Sequence, residues 1–318
     1  MPSALARLPI RRLSRIAAVL ALGCLMTACA TRLSNHPVID SDLGTLVSSG
    51  TMLRALQQPG TVKLRTVTVA DWRFSHVSAP QRGQPWQTTL LDAEILTYVV
   101  HHPQHGLILI DAGVPADTPR RLGPILRRVL AIDQTFDLRQ SIGQILAERE
   151  AGTTPRAVFL THLHFDHVLG LVDLPEQTPV HVGPGEGDHT DVLHAFIAPV
   201  TAQALRGRPP LRAWAFAPDP DGRLEGVIDV FGDGSIFAIH VPGHTPGSTA
   251  YVVNAVDGVH LITGDAVHGR AAWTGAEVER NAFDRDLPRL YDSLAQLQAI
   301  ATRIPGVIVH PGHQHLED

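Results

Sequence analysis

Apolar residues along this chain fall into short blocks set off by Gly, Pro and charged clusters, and their period switches between two and about 3.6. Strand-like alternation covers residues 61–70, then 94–101 and 106–111, with Pro103-Gln104-His105-Gly106 as the hairpin turn between the last two. Helical spacing follows over 119–132 and 138–150, the second run stopped by Gly152 and Pro155. A strand over 156–161 and a short helix over 168–174 come next. Strands resume at 226–231, 235–241, 249–253 and 259–263. Residues 286–304 then carry Leu287, Leu290, Leu294, Leu297 and Ile300 at helical spacing, before a last strand over 306–309. This order predicts an α/β chain with two β-rich halves covered by helices. Residues 183–225, rich in Gly, Pro, Asp and His, read as a long insertion or lid. His181, His189, His194, Trp214 and Phe216 in or beside it are candidates for a pocket wall, with ordinary loop and core positions as the alternative.

The N-terminus has a different pattern. Arg7, Arg11, Arg12 and Arg15 precede an apolar run over 16–28 that ends at Cys29, the layout of a secretory signal and too short for a stable membrane span. Met26-Thr27-Ala28-Cys29 is similar to a lipoprotein cleavage site, so the expectation is a signal over 1–28 and a lipid anchor at Cys29. Cys24 is a second candidate, and a plain cleaved signal with an incidental cysteine is the alternative. An exported, membrane-anchored bacterial lipoprotein facing the periplasm or cell exterior follows from this reading. Residues 29–60 are then a tether followed by a short helix over 43–56, and residues 61–318 the main domain.

With 318 residues and 44% apolar content, the chain can bury a sizeable core. Both cysteines lie in the leader, so the body holds no thiol and any metal site must be built from His and Asp. Removing the four leader arginines leaves 22 Lys+Arg against 31 Asp+Glu, a net of −9, with no basic patch. Nucleic acid is therefore excluded as a partner, and a small-molecule substrate is expected. Oligomeric state leaves no mark in the sequence.

The chemistry is concentrated in Thr161-His162-Leu163-His164-Phe165-Asp166-His167, which follows the apolar run 157–160. Alternation along an extended chain sends His162 and His164 to one side, and a helix start would swing Asp166 and His167 toward a second point. A pair of metals roughly 3.5–4 Å apart suits that spacing. Three more segments end strands with metal-capable side chains: Pro242-Gly243-His244-Thr245-Pro246-Gly247, Thr263-Gly264-Asp265, and His310-Pro311-Gly312-His313. Asp111, also at a strand end, reads as a turn-capping carboxylate, with a partner for a ligand histidine as the alternative.

Taken together these segments resemble the metallo-β-lactamase superfamily over roughly residues 61–318. The resemblance implies a four-layer αβ/βα sandwich of two mixed β-sheets flanked by helices, with two divalent metals at one edge. Zinc is the first expectation, and Mn, Fe or Co suit the same donors. His162, His164 and His244 would bind one metal; Asp166, His167 and His313 the other; Asp265 would bridge. His310 rivals His313, which is preferred because the family's last histidine commonly follows a glycine. The two metals would provide a hydroxide nucleophile at neutral pH, and Asp166 would also orient it or pass a proton to the leaving group.

Residues 102–113, the Thr-His-Leu-His-Phe-Asp-His run and Gly-His-Thr-Pro-Gly-Ser are most similar to the N-acyl-homoserine lactonase group. That group places a tyrosine three residues after the bridging aspartate; here the position is His268, expected either to hydrogen-bond substrate or to be a surface loop residue. Opening of lactones or related esters is thus the expectation. Thioester (glyoxalase II-like), β-lactam or phosphodiester hydrolysis and a mononuclear-iron dioxygenase on the same fold are the alternatives.

Overall fold

The computed structural model describes residues 31–316 apart from His189, Val192 and Ala282. The leader, Cys24, Cys29 and His189 lie outside the described residues.

Two mixed sheets face each other. The larger runs Val278–Arg280, Lys63–Ala79, Gln87–His102, Gly106–Ile110, Ala157–Phe159, Val180–Val182, Leu211–Ala213, Val38–Asp40, with Phe136–Leu138 also paired to Lys63–Ala79. The smaller runs Ile308–His310, Gly258–Ile262, Thr249–Ala255, Ile236–His240, Val227–Asp229, Thr45–Val47. Between them lies an apolar layer of Tyr98, Val100, Ile108, Ile110, Phe159 and Trp214 from one side and Ile228, Ile236, Ala238, Tyr251, Val253 and Ile262 from the other. Strands buried on both faces must be apolar at nearly every position, which is why Gly106–Ile110 and Ala157–Phe159 show no alternation.

Helices close the outer faces. Ile142, Ile145, Ile197 and Val200 cover the larger sheet, while Leu297, Ile300 and Met52 cover the smaller. Helix Leu287–Ala301 starts where Asp286 accepts the Arg289 backbone N–H and Pro288 has no N–H to satisfy, and it buries Leu290, Leu297 and Ile300. Helix Ile142–Arg149 starts on a reciprocal cap between Ser141 and Gln144. The expected four-layer arrangement is the observed one.

Three local expectations differ from the structure. The first hairpin is much longer than 61–70 with 94–101: Lys63–Ala79 pairs with Gln87–His102, bending at a register shift between Thr68 and Ala70. Residues 31–60 are built into the fold, because Val38–Asp40 pairs with Leu211–Ala213 and Thr45–Val47 with Val227–Asp229, so this segment finishes an edge of each sheet. Its helix spans only Ser49–Ala55. Residues 183–225 likewise contribute helix His194–Leu205 and the sheet strand Leu211–Ala213, where a lid was expected.

Candidate metal centre

Strand ends at one edge of the sandwich deliver the metal-capable residues. Ala157–Phe159 leads into the 161–167 run from the larger sheet. The smaller sheet sends His244 from the turn after Ile236–His240, Asp265 from the turn after Gly258–Ile262, and His313 from the turn after Ile308–His310. Each of these turns needs a short, kinked backbone. Gly264 adopts φ +52, and Gly312 packs so tightly that a Cβ there would sit 2.3 Å from Asp265 Oδ1. The glycine before His313 is thus a packing requirement of the carboxylate beside it.

Asp265 is the centre of the cluster. Its Oδ2 lies 3.8 Å from His162 Nε2, 3.5 Å from His244 Nε2, 3.4 Å from His268 Nε2 and 3.3 Å from His313 Nε2, and its Oδ1 lies 3.4 Å from His167 Nε2. On one side His164 Nδ1 stands 3.1 Å from His162 Nε2 and 2.9 Å from His244 Nε2. On the other, Asp166 Oδ2 stands 3.6 Å from His167 Nε2 and 3.5 Å from His313 Nε2. The seven residues expected at a metal site therefore meet as two trios about Asp265: His162, His164 and His244, and Asp166, His167 and His313. All are buried.

A second set of residues holds the rings by their far nitrogens. His167 Nδ1–H donates to Asp111 Oδ2 at 2.8 Å, His244 Nδ1–H to Asp284 Oδ1 at 2.7 Å, and His313 Nδ1–H to the Glu94 carbonyl at 2.9 Å. His162 Nδ1 lies 3.1 Å from Thr161 Oγ1. With Nδ1 engaged in this way, each of these rings turns its Nε2 toward the centre, the nitrogen that a metal would take from the neutral ring. Asp111 is both a turn cap and a ligand partner, since its carboxylate also accepts the Thr161 backbone N–H at 2.8 Å. Buried Glu186 accepts the Leu163 and Gly247 N–H groups and the Thr245 hydroxyl, tying the 162–164 segment to the His244 turn.

Electrostatics shows the strain of gathering these groups. Burial disfavours charge on His167, yet Asp111, Asp265 and Asp166 hold its pKa well above the usual imidazole value. His162 goes well below, through burial and then the neighbouring His167. Burial also opposes a charged Asp265, but His313, His167 and His268 draw its pKa well below that of an ordinary carboxylate. His167 Nε2 and Asp265 Oδ1 are buried with no hydrogen-bond partner. Buried nitrogen and oxygen atoms left unpartnered in an all His/Asp set fit divalent metal.

Other expected residues lie elsewhere. His310 is not part of the centre: its Nε2 lies 3.0 Å from His260 Nδ1, and burial pushes its pKa down to about 3. His181 and Trp214 stack on each other in the inter-sheet core, and Trp214 donates to the Tyr251 hydroxyl, so neither walls a substrate pocket. Phe216 stacks on His240, and His194 lies 3.1 Å from the Thr31 carbonyl. His268 is not a surface loop residue but is 1% exposed at the cluster. Glu186, Asp284 and Glu279 carried no sequence signal, being single acids in loops or a short strand; Thr161 is legible only as the residue preceding the motif.

A cavity of about 1170 Å³ lies beyond Glu279, with Asp71, Arg73, Asp92 and Glu277 among its walls. None of the seven cluster residues lines it. The apolar surface at the centre is instead supplied by two half-buried rings, Phe283 at 5.4 Å from the His164 ring and Phe74 at 5.6 Å from that of His313.

Known proteins resemble this chain in sequence and in fold. A "Probable metallo-hydrolase" of Mycobacterium tuberculosis is 32% identical over 186 residues, which are 54% of this chain and 56% of that protein. The N-acyl homoserine lactonase AttM of Azorhizobium caulinodans is 26% identical over 180 residues, 55% of this chain and 65% of that protein. The chain thus spans 56% and 65% of the lengths of these two curated relatives. A crystal structure of AiiA of B. thuringiensis, with N-decanoyl-L-homoserine bound at its active site, superposes with a TM-score of 0.56 at 17% identity, covering 80% of this chain and 94% of that one. The profile of the metallo-beta-lactamase superfamily matches residues 93–313, which hold the strand ends and all seven clustered residues, and the chain belongs to that superfamily.

Proposed function

We propose that this chain is a metal-dependent hydrolase with a dinuclear centre, and that it opens lactones or related esters carrying an acyl chain. The observation that carries the reading is the pair of His/Asp trios sharing Asp265, flanked by apolar rings at both ends. His162, His164 and His244 would hold one ion, Asp166, His167 and His313 the other, and Asp265 both; zinc suits this donor set, as do Mn, Fe and Co. When bound, such ions would supply Lewis acidity toward a carbonyl oxygen and a water whose pKa is lowered toward about 7.

The chain's own residues do the rest. Asp111, Asp284, Thr161 and the Glu94 carbonyl fix ring orientation, so no reorganisation is needed at reaction. Asp166, whose Oδ2 faces His167 and His313, can accept a proton and return it to the leaving alkoxide. Phe74 and Phe283 would cover an acyl chain and exclude water beside the ester carbonyl. The lactonase names among the relatives support the choice of substrate.

The test is purified protein of measured metal content assayed on a panel of lactones, thioesters, phosphodiesters and a chromogenic β-lactam. Long-chain acyl lactones are expected to give the highest kcat/KM. Preference for a thioester or phosphodiester would overturn the substrate, and full activity without metal would overturn the mechanism. Export and anchoring at Cys29 remain part of the proposal, supported by the leader pattern; Cys29→Ala should release the protein from the membrane fraction.

A further inference from the structure

His268 is held in the same way as the residues assigned above as ligands. Its Nδ1–H donates to Glu279 Oε1 at 3.2 Å, and its Nε2 points at Asp265 Oδ2 from 3.4 Å, the same separation as His244 and His313 within 0.1 Å. Its ring is buried, 5.4 Å from that of His244. Glu279 is placed for this role: it sits on Val278–Arg280, paired with Val77–Ala79, and its second oxygen accepts from His76 Nε2 at 3.1 Å. A carboxylate clamped by a histidine on one side and binding a ring N–H on the other cannot turn away. It therefore locks the His268 ring with Nε2 toward the centre. A residue that only donated to substrate would need neither this carboxylate nor a position against Asp265.

We propose that His268 is a metal ligand, joining His244 and Asp265, and that Glu279 is its positioning residue. The inference rests on the dinuclear reading of the centre, and it makes the shell on the His162/His164/His244 side richer in nitrogen by one. His244, Asp265 and His268 offer ligand atoms within 4.8 Å of one another, the limit that the two trios also meet. The position three residues after Asp265 then serves coordination, and substrate contact is left to other groups.

The test uses the full chain stripped of metal and titrated with Co(II), read by its visible absorbance, with a chelator competition giving the affinity of each ion. Wild-type protein should take up two ions. In His268→Ala one of them should bind at least about tenfold more weakly with an altered spectrum, and Glu279→Gln should weaken the same ion about tenfold while retaining the ligand. Should His268→Ala not fold, Glu279→Gln carries the test alone. Two ions bound by both variants with wild-type affinity and spectrum would overturn the proposal even if turnover fell. Failure of the wild-type protein itself to bind Co(II) would overturn the metal reading and this inference with it, and is distinguished because no substitution is then needed to see it.

Discussion

Replacing Asp111 with Asn changes hydrogen bonding at the centre while leaving the backbone alone. Asp111 sits at φ +57, in the left-handed region that Asn tolerates. Its carboxylate is 2% exposed; Oδ1 accepts the Thr161 backbone N–H at 2.8 Å, and Oδ2 accepts the Thr161 hydroxyl at 2.9 Å and His167 Nδ1–H at 2.8 Å. An amide has a single acceptor oxygen. Turned toward His167, it sets its NH2 against the Thr161 N–H, a buried donor facing a donor. Turned the other way, it forces His167 Nδ1 to accept and moves the ring proton to Nε2, where a metal needs the lone pair. Either outcome costs about 1–3 kcal/mol. The first appears as lost stability of the metal-free protein, the second as metal affinity weakened about 10- to 100-fold. Urea unfolding of metal-free protein and chelator competition with zinc measure the two separately. If Asp111→Asn retains wild-type values in both, the second layer of the site does not act as argued.

Three further outcomes follow from named contacts. Burial, with Arg212 adding, pushes the His181 pKa from 6.5 down to about 4, so the unfolded chain binds the extra proton first. That group contributes about 3 kcal/mol fully present above pH 6.5 and lost as pH falls toward 4; His181→Asn should flatten the fall in unfolding free energy between pH 7 and 4.5, and an unchanged slope would contradict the assignment. Trp214→Ala should lower stability by about 3–5 kcal/mol by opening the inter-sheet core. Its KM for long and short acyl lactones should move equally, and a selective effect on long chains would return Trp214 to the pocket. Phe283→Ala should raise KM for long-chain lactones about five- to tenfold over short ones, from roughly 1 kcal/mol of apolar burial, with metal content unchanged; a uniform effect would remove the ring from chain binding.

The legible parts of this molecule are those where one residue type has one use. Four ligands in a seven-residue run, and His or Asp at strand ends after apolar blocks, announce a metal site because few other arrangements tolerate them. The choice of His313 over His310 was open on spacing alone and is decided by where the strand ends: His310 is still paired with the sheet and turns toward His260. Glu186, Asp284 and Glu279 were illegible because a single acid in a loop looks the same whether it faces water or a histidine 40 residues away. The strand inside residues 183–225, a stretch that reads as an insertion or lid, escapes notice for a related reason. Residues 183–225 are polar and turn-rich, but Leu211–Ala213 needs only three residues to pair with strands on both sides, too few for periodicity to register. The long hairpin hides behind Trp72, Phe74 and His76, whose alternation marks a strand but whose partner begins only after the turn near Gly83.

That hairpin separates two tasks. The sandwich proper carries every residue of the two trios on strand ends, the turns after them and the short helix Phe165–Val168, anchored in two packed cores. The hairpin extension beyond the shift at Thr68 carries Phe74 onto the His313 ring, His76 onto Glu279, and the edge that Val278–Arg280 joins. A substitution in the sandwich ends must disturb metal and turnover together, because the rings share Asp265. Phe74 meets the centre through an edge-to-face ring contact with His313, so changing it should alter substrate preference while leaving metal content unchanged. His76 is the exception that connects the tasks: through Glu279 it bears on His268 and so on Asp265, four buried groups in series. An extension serving substrate alone would have no reason to bury a histidine–carboxylate–histidine chain behind the metal cluster, and its presence there is why His268 belongs with the ligands.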